Sequence, residues 1–568
     1  MATAPQTSTT TPAKSRKGGL VLGVLGASQF LMTLDSSVMN VSMATVAADV
    51  GTTITGIQTA ITLYTLVMAT LMITGGKVGS ILGRRRAFAI GLVVYACGST
   101  VTSLAPNLGV LLLGWSLLEG MGAALIMPAI VALVAANFPP ERRAYAYGLI
   151  AASGAMAVAA GPLIGGAVTT YASWRYVFAG EAVIVVVILL LLRHIADVAP
   201  HPLKLDLVGS ALSIVGLGLV VFGVLRSGDW GWVIATPGTP TILGGSPVIW
   251  LIVIGSLVTY LFIRWQSHLE RTGGEPLLDP KMLRNSQLVG GLSMFFAQFT
   301  VQAGVFFCVP LFLSVALGLS AVETGLRVFP LSIALLVAAG GIPRIWPHAN
   351  PRRVVRFGLL TMTAGILVLV GGLSPAASAS VVAIPMVLMG LGLGSLSSQL
   401  GAVTVSAVPD EQSAEVGGLQ NTATNLGASL GTALVGSVLI ATLTSAALSG
   451  VQNNPDIPDS VKSQATTQWA SGVPFVSTAQ LTQALDDAGV DQATATQIID
   501  VNDDARINAL RSALSVAALI AIAALFFTGR LPRTAPGQLP KPGRAPPEGK
   551  AGEAEPGEAG REPDAATA

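Results

Sequence analysis

The chain has 568 residues, of which 52% are hydrophobic and only 11% are charged, and its mean hydropathy is +0.69. Soluble domains carry about 25% charged residues, so this composition excludes a water-soluble globular protein. The formal net charge of +2 gives no electrostatic case for a nucleic-acid partner. The two cysteines, Cys97 and Cys308, lie in separate apolar runs and predict neither a disulfide framework nor a metal cage.

Long apolar runs predict fourteen membrane-spanning helices. Runs of about 20 residues match a hydrocarbon core of ~30 Å at about 1.5 Å per helical residue. The alternation over ~10 residues that marks β-barrel strands is absent. In chain order, the predicted spans 1 to 14 are 20–46, 57–75, 87–105, 108–136, 144–168, 176–193, 205–226, 247–264, 288–316, 322–342, 354–373, 379–406, 415–445 and 507–528.

The distribution of basic residues predicts the orientation. Most of the 31 Lys and Arg residues lie before span 1, after span 14 or in the alternate loops on that same side. Under the positive-inside rule, we expect a multi-pass protein of the cell membrane with both termini in the cytoplasm.

A weak internal repeat predicts two halves. The segment GGKVGSILGRRR at 75–86 follows span 2, and a cruder counterpart, GGIPRIWPHANPRR at 340–353, follows span 10. Parallel six-helix repeats with spans 7 and 8 inserted between them would give this spacing. The two predicted halves are an N-terminal six-helix bundle at 20–193 and a C-terminal six-helix bundle at 288–528, which includes an external helical loop at 446–505. A linker with two helices at 194–287 joins them. Disordered cytoplasmic termini are predicted at 1–19 and 529–568.

Several motifs occur in order along these spans. Span 1 carries LDSSVMNVSMATVAADVG, close to LDxTIVNVALP, and GKVGSILGRRR after span 2 is close to GxLaDrxGRR, with Ser80 in place of its aspartate. LGWSLLEGMGAALIMPA in span 4 is close to LxxxRxxQGxgaAlxxP, with Ser116 at the arginine position and Glu119 at the glutamine position. Span 5 carries most of GxxxGPxxGG, and SWRYVF at 173–178 and QNTATNLGASLGTAL at 420–434 follow. Together these motifs resemble those of the drug:proton antiporters with fourteen spans, a branch of the major facilitator superfamily.

This resemblance implies an all-α major facilitator fold of two six-helix bundles and two inserted linker helices. It also implies proton-coupled export by alternating access, without a cofactor or a bound metal. The gating loop that it implies comprises Gly76, Lys77, Gly83, Arg84, Arg85 and Arg86. The antiporter motif of span 5 that it implies comprises Gly148, Gly161, Pro162, Gly165 and Gly166.

Three acidic residues inside the predicted spans are the candidates for proton coupling. Asp35 lies roughly 22 Å from the cytoplasmic edge and Glu119 roughly 16 Å from the outer edge, while Glu181 lies one to two turns into span 6. An ionised carboxylate facing lipid costs several kcal/mol, so each acid should face the bundle interior or a partner. A structural ion pair remains the alternative for each, with Arg175 or a lipid headgroup as the partner of Glu181. Arg327 in span 10 is an equal candidate for a structural counter-charge.

A substrate cavity is expected to be mostly apolar, with a few polar groups that orient the ligand. Met32, Asp35 and Met39 share one face of span 1, which places flexible thioethers beside an acid. Polar amides at spacings of one turn would be costly against lipid, although ordinary helix packing also explains them. The predicted cavity residues are Met32, Met39, Asn40, Gln298, Gln302, Asn421 and Asn425.

The sequence therefore favours a monomeric exporter of amphiphilic, cationic drugs or toxic compounds, with protons and membrane lipids as its other partners. Export of an endogenous lipid, peptide or secondary metabolite by the same fold is the alternative. An ATP-driven pump is disfavoured, because the chain contains no GxxxxGK[ST] motif. A membrane-embedded enzyme or receptor is also disfavoured, because the chain shows no catalytic or signalling motif such as HExxH.

Overall fold

A computed structural model describes residues 13–138, 140–197, 205–236, 238–346, 349–408, 413–469 and 473–534. Almost all of these residues are helical. Most of the predicted disordered termini, 1–19 and 529–568, lies outside the described residues.

The first eight helices comprise the amino-terminal group and an inserted pair. They are α1 (Ala13–Asp49), α2 (Ile54–Leu82), α3 (Arg84–Ser103), α4 (Leu108–Leu111, then π-helical Leu112–Glu119, then Gly120–Asn137), α5 (Pro140–Tyr171), α6 (Arg175–Leu191), α7 (Leu207–Trp230) and α8 (Pro247–Arg271).

Eight further helices follow. They are α9 (Ser286–Leu311, continued by π-helical Phe312–Ala316), α10 (Ala321–Ile345), α11 (Pro351–Gly372), α12 (Ala383–Val405), α13 (Ser413–Asn453), α14 (Asp459–Gln468), α15 (Thr478–Asp487) and α16 (Gln492–Phe527).

All fourteen predicted spans coincide with helices. Thirteen helical segments among the described residues are long and apolar enough to cross a membrane, and α5 supplies the fourteenth through its shorter apolar segment, Met156–Tyr171. Several helices continue well beyond the predicted spans. The 41 residues of α13 extend roughly 60 Å, about twice the hydrocarbon core. Hydropathy marks only the part of a helix that lies in lipid, which explains the difference.

Helix packing separates two groups. Within the first group α1 packs on α5, and α3 and α2 pack on α4; within the second α9 packs on α13, and α10 and α11 pack on α12. The inserted pair α7–α8 packs against α13 and α2 through α7. Contacts between α2 and α13 and between α5 and α10 join the two groups.

The two groups are packed tightly together at the end of the bundle opposite Ala13 and Phe527, the first and last α-helical residues. Hydrogen bonds cross between them from Gln58 Nε2 to the Thr432 carbonyl (3.2 Å) and from Ser429 Oγ to the Thr62 carbonyl (3.0 Å). On the other side of the bundle, a Cβ built on Gly325 of α10 would overlap the Pro162 carbonyl of α5. Only a glycine permits this approach of backbone to backbone, so the interface is closed at this end of the bundle.

A segment between α14 and α15 covers this closed end. Residues 474–477 line a cavity of about 470 Å³ together with the nearby ends of α1, α2 and α9. The buried Arg506 of α16 donates hydrogen bonds to the Val476 carbonyl (2.8 Å) and Thr478 Oγ1 (2.7 Å) and pairs with Asp503. Phe475 of this segment is only 3% exposed and lines the cavity.

The contact at Gly325 gives a stability prediction. Valine at this position forces overpacking against Pro162, which costs about 1–3 kcal/mol, so Gly325→Val should lower the melting temperature of the purified protein by several degrees. Gly340→Val is the matched control, because the same helix has open space within 4 Å of that position. Equal melting temperatures for the two variants would contradict the close packing of α5 on α10.

Candidate functional site

Three acidic side chains from different helices meet inside the amino-terminal group. Asp35 comes from α1, Glu119 from α4 and Glu181 from α6, and each offers a carboxylate oxygen within 4.8 Å of the others. Their side chains are 0%, 0% and 1% exposed, respectively. We call these residues the acid triad. The structure therefore brings together the three acids that the sequence predicts separately.

Trp115 holds Asp35 in place. Its indole Nε1 donates to both carboxylate oxygens of Asp35, at 2.8 and 3.0 Å. The indole ring is itself stacked on Tyr64, with centroids 4.9 Å apart and planes 6° from parallel. All three side chains are buried, so a rigid aromatic pair fixes the carboxylate away from water.

Glu119 lies at the end of the π-helical turn of α4, a type of turn that is frequent at functional sites. Thr102 Oγ1 lies 3.1 Å from Glu119 Oε1 and 2.9 Å from the Gly98 carbonyl oxygen. A hydroxyl has one proton to donate, so both contacts are satisfied together when Glu119 carries a proton. Gly98 makes room for the acid, because a Cβ there would lie 2.6 Å from Glu119 Cγ.

Glu181 accepts a hydrogen bond of 3.1 Å from the Tyr95 hydroxyl. Arg175, the alternative partner that the sequence offers, instead pairs with Asp49 and donates to the Ala105 carbonyl. The ion-pair interpretation of Glu181 through Arg175 is therefore wrong.

The acid triad has few partners for its charge. None of the ion pairs between described residues includes any of the three acids. Glu119 Oε2 and Glu181 Oε1 are buried without a hydrogen bond, as are the neighbouring hydroxyls of Ser99 and Tyr64. Such atoms are costly unless a proton or a ligand joins them.

Five neighbours of the triad were not predicted as site residues from the sequence: Tyr64, Tyr95, Ser99, Thr102 and Trp115. Tyr95, Ser99 and Thr102 follow one another at spacings of four and three, which places them on one face of α3. A row of polar side chains on one face of an apolar span was the feature of the sequence that could have indicated these site residues.

The predicted cavity residues occupy scattered positions. Gln298 Nε2 donates to Ser397 Oγ at 3.0 Å, and its Oε1 is buried without a partner. The amide of Asn40 bonds to the Ser36 carbonyl of its own helix, and that of Asn425 bonds to the Asn421 carbonyl. Met32, Met39 and Gln302 lie on α1 and α9, and none of the seven predicted residues lines the 470 Å³ cavity.

The predicted gating loop is reduced in the structure to a one-residue connection between two helices. Gly83 alone links α2 to α3, with a φ of +94° that favours glycine. The Arg85 backbone N–H donates to Asp197 Oδ1 at 3.0 Å and its guanidinium donates to the Ile195 carbonyl at 3.1 Å. Lys77 Nζ reaches the Pro276 carbonyl at 3.3 Å. Gly76 lies on α2, and Arg84 and Arg86 lie in the first turn of α3.

The predicted antiporter motif lies on α5 and contacts both neighbouring helices. A Cβ on Gly165 would be 2.8 Å from Val38 Cγ2 of α1, and one on Gly166 would be 2.6 Å from the Ala321 carbonyl oxygen of α10. Gly161 faces Ser37 of α1. Pro162 and Gly148 lie on the same helix. The motif glycines thus permit close contact within and between the two groups.

Residues 25–432 match the family model described as Major Facilitator Superfamily. The chain belongs to the Major Facilitator Superfamily. The predicted family and all-α fold are confirmed, and this member of the superfamily is a multi-pass membrane transporter of small molecules rather than an enzyme.

Curated relatives cover most of the chain. It is 29% identical over 448 residues to the probable actinorhodin transporter of Streptomyces coelicolor, covering 76% of this chain and 74% of the relative. It is 28% identical over 415 residues to the tetracenomycin C resistance and export protein of Streptomyces glaucescens (72% and 73% covered). It is 26% identical over 427 residues to the multidrug resistance protein Stp of Mycobacterium tuberculosis (75% and 76% covered).

Solved structures share the fold of this superfamily member. A peptide transporter POT in complex with sulfate matches with a TM-score of 0.55 at 15% identity, covering 90% of this chain and 96% of that one. A bacterial homolog of the human lysosomal transporter Spinster, in an inward-facing and unoccupied conformation, matches with a TM-score of 0.54 at 14% identity, covering 91% and 99%.

The contact between Trp115 and Asp35 gives a second stability prediction. A hydrogen bond to a charged group contributes about 1.5–3 kcal/mol, so Trp115→Phe should lower the melting temperature in detergent while Trp232→Phe, at a 41% exposed position, should not. Asp35→Asn keeps an acceptor for the indole and should cost less than Trp115→Phe. Equal melting temperatures for both tryptophan variants would contradict the role given to Trp115.

Proposed function

We propose that this chain is a proton-coupled exporter of amphiphilic, cationic drugs or toxic compounds, working by alternating access. The observation that carries the proposal is the buried acid triad, which lacks a basic partner among the described residues.

Electrostatic repulsion makes protons the natural partners of the triad. Two ionised carboxylates 4.8 Å apart repel by roughly 3.5 kcal/mol at an effective dielectric constant of about 20. Three charges cannot share this space at that cost, so the triad holds protons. In the favoured arrangement Asp35 is the ionised member, because Trp115 donates to both of its oxygens, and Glu119 is protonated beside Thr102.

Ion coupling needs competition between the proton and the substrate. A cationic substrate, or the conformational change that it brings, would favour loss of a proton from the triad, and an incoming proton would favour release of the substrate. The predicted cavity residues Met32, Met39, Asn40, Gln298, Gln302, Asn421 and Asn425 are proposed to line the substrate path. Gln298 has a buried oxygen that is free to accept a ligand hydrogen bond.

Two classes of substrate follow from the relatives. The relative named a multidrug resistance protein supports broad drug export, whereas those named for actinorhodin transport and tetracenomycin C export support a dedicated secondary metabolite. We favour drug export, because the methionine face of α1 suits varied apolar ligands.

The closed outer interface supports rocking of two six-helix units, 20–193 and 288–528, about a central site. We propose that the linker 194–287 and the external loop 446–505 move with these units, that the protein works as a monomer, and that both termini lie in the cytoplasm.

If the carboxy terminus lies in the cytoplasm, a fluorescent protein fused to it should fluoresce, and an alkaline phosphatase fused to it should be inactive. An active phosphatase fusion and a dark fluorescent fusion would contradict the proposed cytoplasmic location of the termini.

Ethidium efflux from energised cells tests the proposed coupling. Asp35→Asn and Glu119→Gln should each reduce uncoupler-sensitive efflux by roughly 100-fold, the lower end of the typical contribution of a positioned proton-transfer group. Asp486→Asn, at an exposed position on α15, is the matched control and should be unaffected.

Two outcomes would overturn this coupling. Efflux that persists unchanged in both acid variants removes the triad from the mechanism. Efflux that resists the uncoupler but stops when sodium is replaced by choline assigns coupling to sodium, a hard cation that oxygen ligands also accept.

A further inference from the structure

A second feature, far from the acid triad, lies where α9 meets the end of α16. The two helices enclose a groove of about 420 Å³, within the size range of ligand pockets. Its walls are apolar apart from Ser293 and include Leu292, Phe296, Ile520 and Phe527. The groove lies in the last two turns of α16, close to the membrane surface at which α16 ends.

Three arginines lie around residues 527–531, which begin at the groove residue Phe527 and continue past the end of α16. Arg530 packs on Gly290 of α9, where a Cβ would lie 2.7 Å from Arg530 Cβ, and its guanidinium lies 5.7 Å from the Phe527 ring. Arg356 of α11 donates from Nε to Thr528 Oγ1 at 2.8 Å, and Arg352 donates from Nε to the Leu531 carbonyl at 2.9 Å.

This cluster carries uncompensated positive charge. None of the ion pairs between described residues includes Arg352, Arg356 or Arg530. A guanidinium has five N–H donors in a planar fork. No side-chain hydrogen bond between described residues uses the Nη groups of Arg356 or any donor of Arg530. Arg530 and Arg356 are exposed, so these donors are available to a ligand.

We propose that the groove and the arginine cluster form one binding site for an anionic phospholipid. The acyl chain lies along Leu292, Phe296 and Phe527, and the lipid phosphate accepts hydrogen bonds from Arg530 and Arg356. Basic pockets between transmembrane helices are a recognised setting for anionic headgroups, and guanidinium groups bind phosphate in a bidentate manner. The positive-inside rule accounts for arginines at this surface, but it does not place them at the mouth of an apolar groove.

Both parts of the site are needed for this choice of ligand. The groove alone would accept any acyl chain, and the arginines alone would accept any phosphate. Their position on adjoining turns selects a molecule that carries an acyl chain and a negatively charged headgroup together. A bound lipid would bridge α9, α11 and α16, which belong to the same helix group, and would thereby stabilise that group.

The test uses the full-length purified protein in detergent with defined additives. Dioleoyl phosphatidylglycerol should raise the melting temperature and remain bound in native mass spectrometry, whereas dioleoyl phosphatidylcholine or inorganic phosphate should do neither. Arg530→Gln should weaken phosphatidylglycerol binding by about 10-fold, in line with loss of a charge-assisted contact. Ala523→Phe, which fills the groove, should weaken it without removing an arginine.

Arg271→Gln, on the last turn of α8, is the matched control and should bind phosphatidylglycerol like the wild type. Equal binding by Arg530→Gln and Arg271→Gln would overturn the headgroup site. A melting shift of the same size with phosphate alone would overturn the lipid assignment. Equal stabilisation by phosphatidylcholine would overturn the requirement for a charged headgroup.

Discussion

The proposed mechanism depends on three carboxyl groups that are held together in the protein interior without a described cationic partner. Such an arrangement is costly in an apolar medium, so the surrounding helices must supply hydrogen bonds or the acids must carry protons. Trp115, Tyr95 and Thr102 each serve one acid, and the remaining oxygens are left without a donor. The site is thus incomplete on purely structural grounds, which is the property expected of an ion-coupling centre.

The triad is linked through α1 to a helix that forms the interface between the two groups. α1 contributes Asp35 and packs against the motif glycines of α5, and α5 in turn contacts α10 of the other group. In the proposed mechanism, a change of charge on Asp35 reaches the interface between the two groups through α5. Two-state packing of this kind is how small local changes become large domain movements.

Much of the fold could be predicted from the sequence, because the bilayer fixes the length and composition of each span. The individual acids were also predictable, since an ionisable residue in a span is a functional hypothesis by default. Their meeting point was not, because it depends on how α1, α4 and α6 pack and on a π-helical turn that ends at Glu119. Hydropathy also could not show that α2 continues to Leu82. The sequence could not show that Arg175 forms its ion pair with Asp49 rather than with Glu181, because that depends on tertiary packing.

A direct measurement of proton release tests the central role of the triad. Ethidium would be added to concentrated, purified protein in a weakly buffered solution near neutral pH, with a pH-sensitive dye as the reporter. Proton coupling through the triad predicts that binding acidifies the solution. It also predicts that Glu119→Gln, which removes the protonated member of the triad, abolishes or greatly reduces this release while still folding. Ethidium binding to the wild type without any proton release would contradict competition between substrate and protons at these three acids.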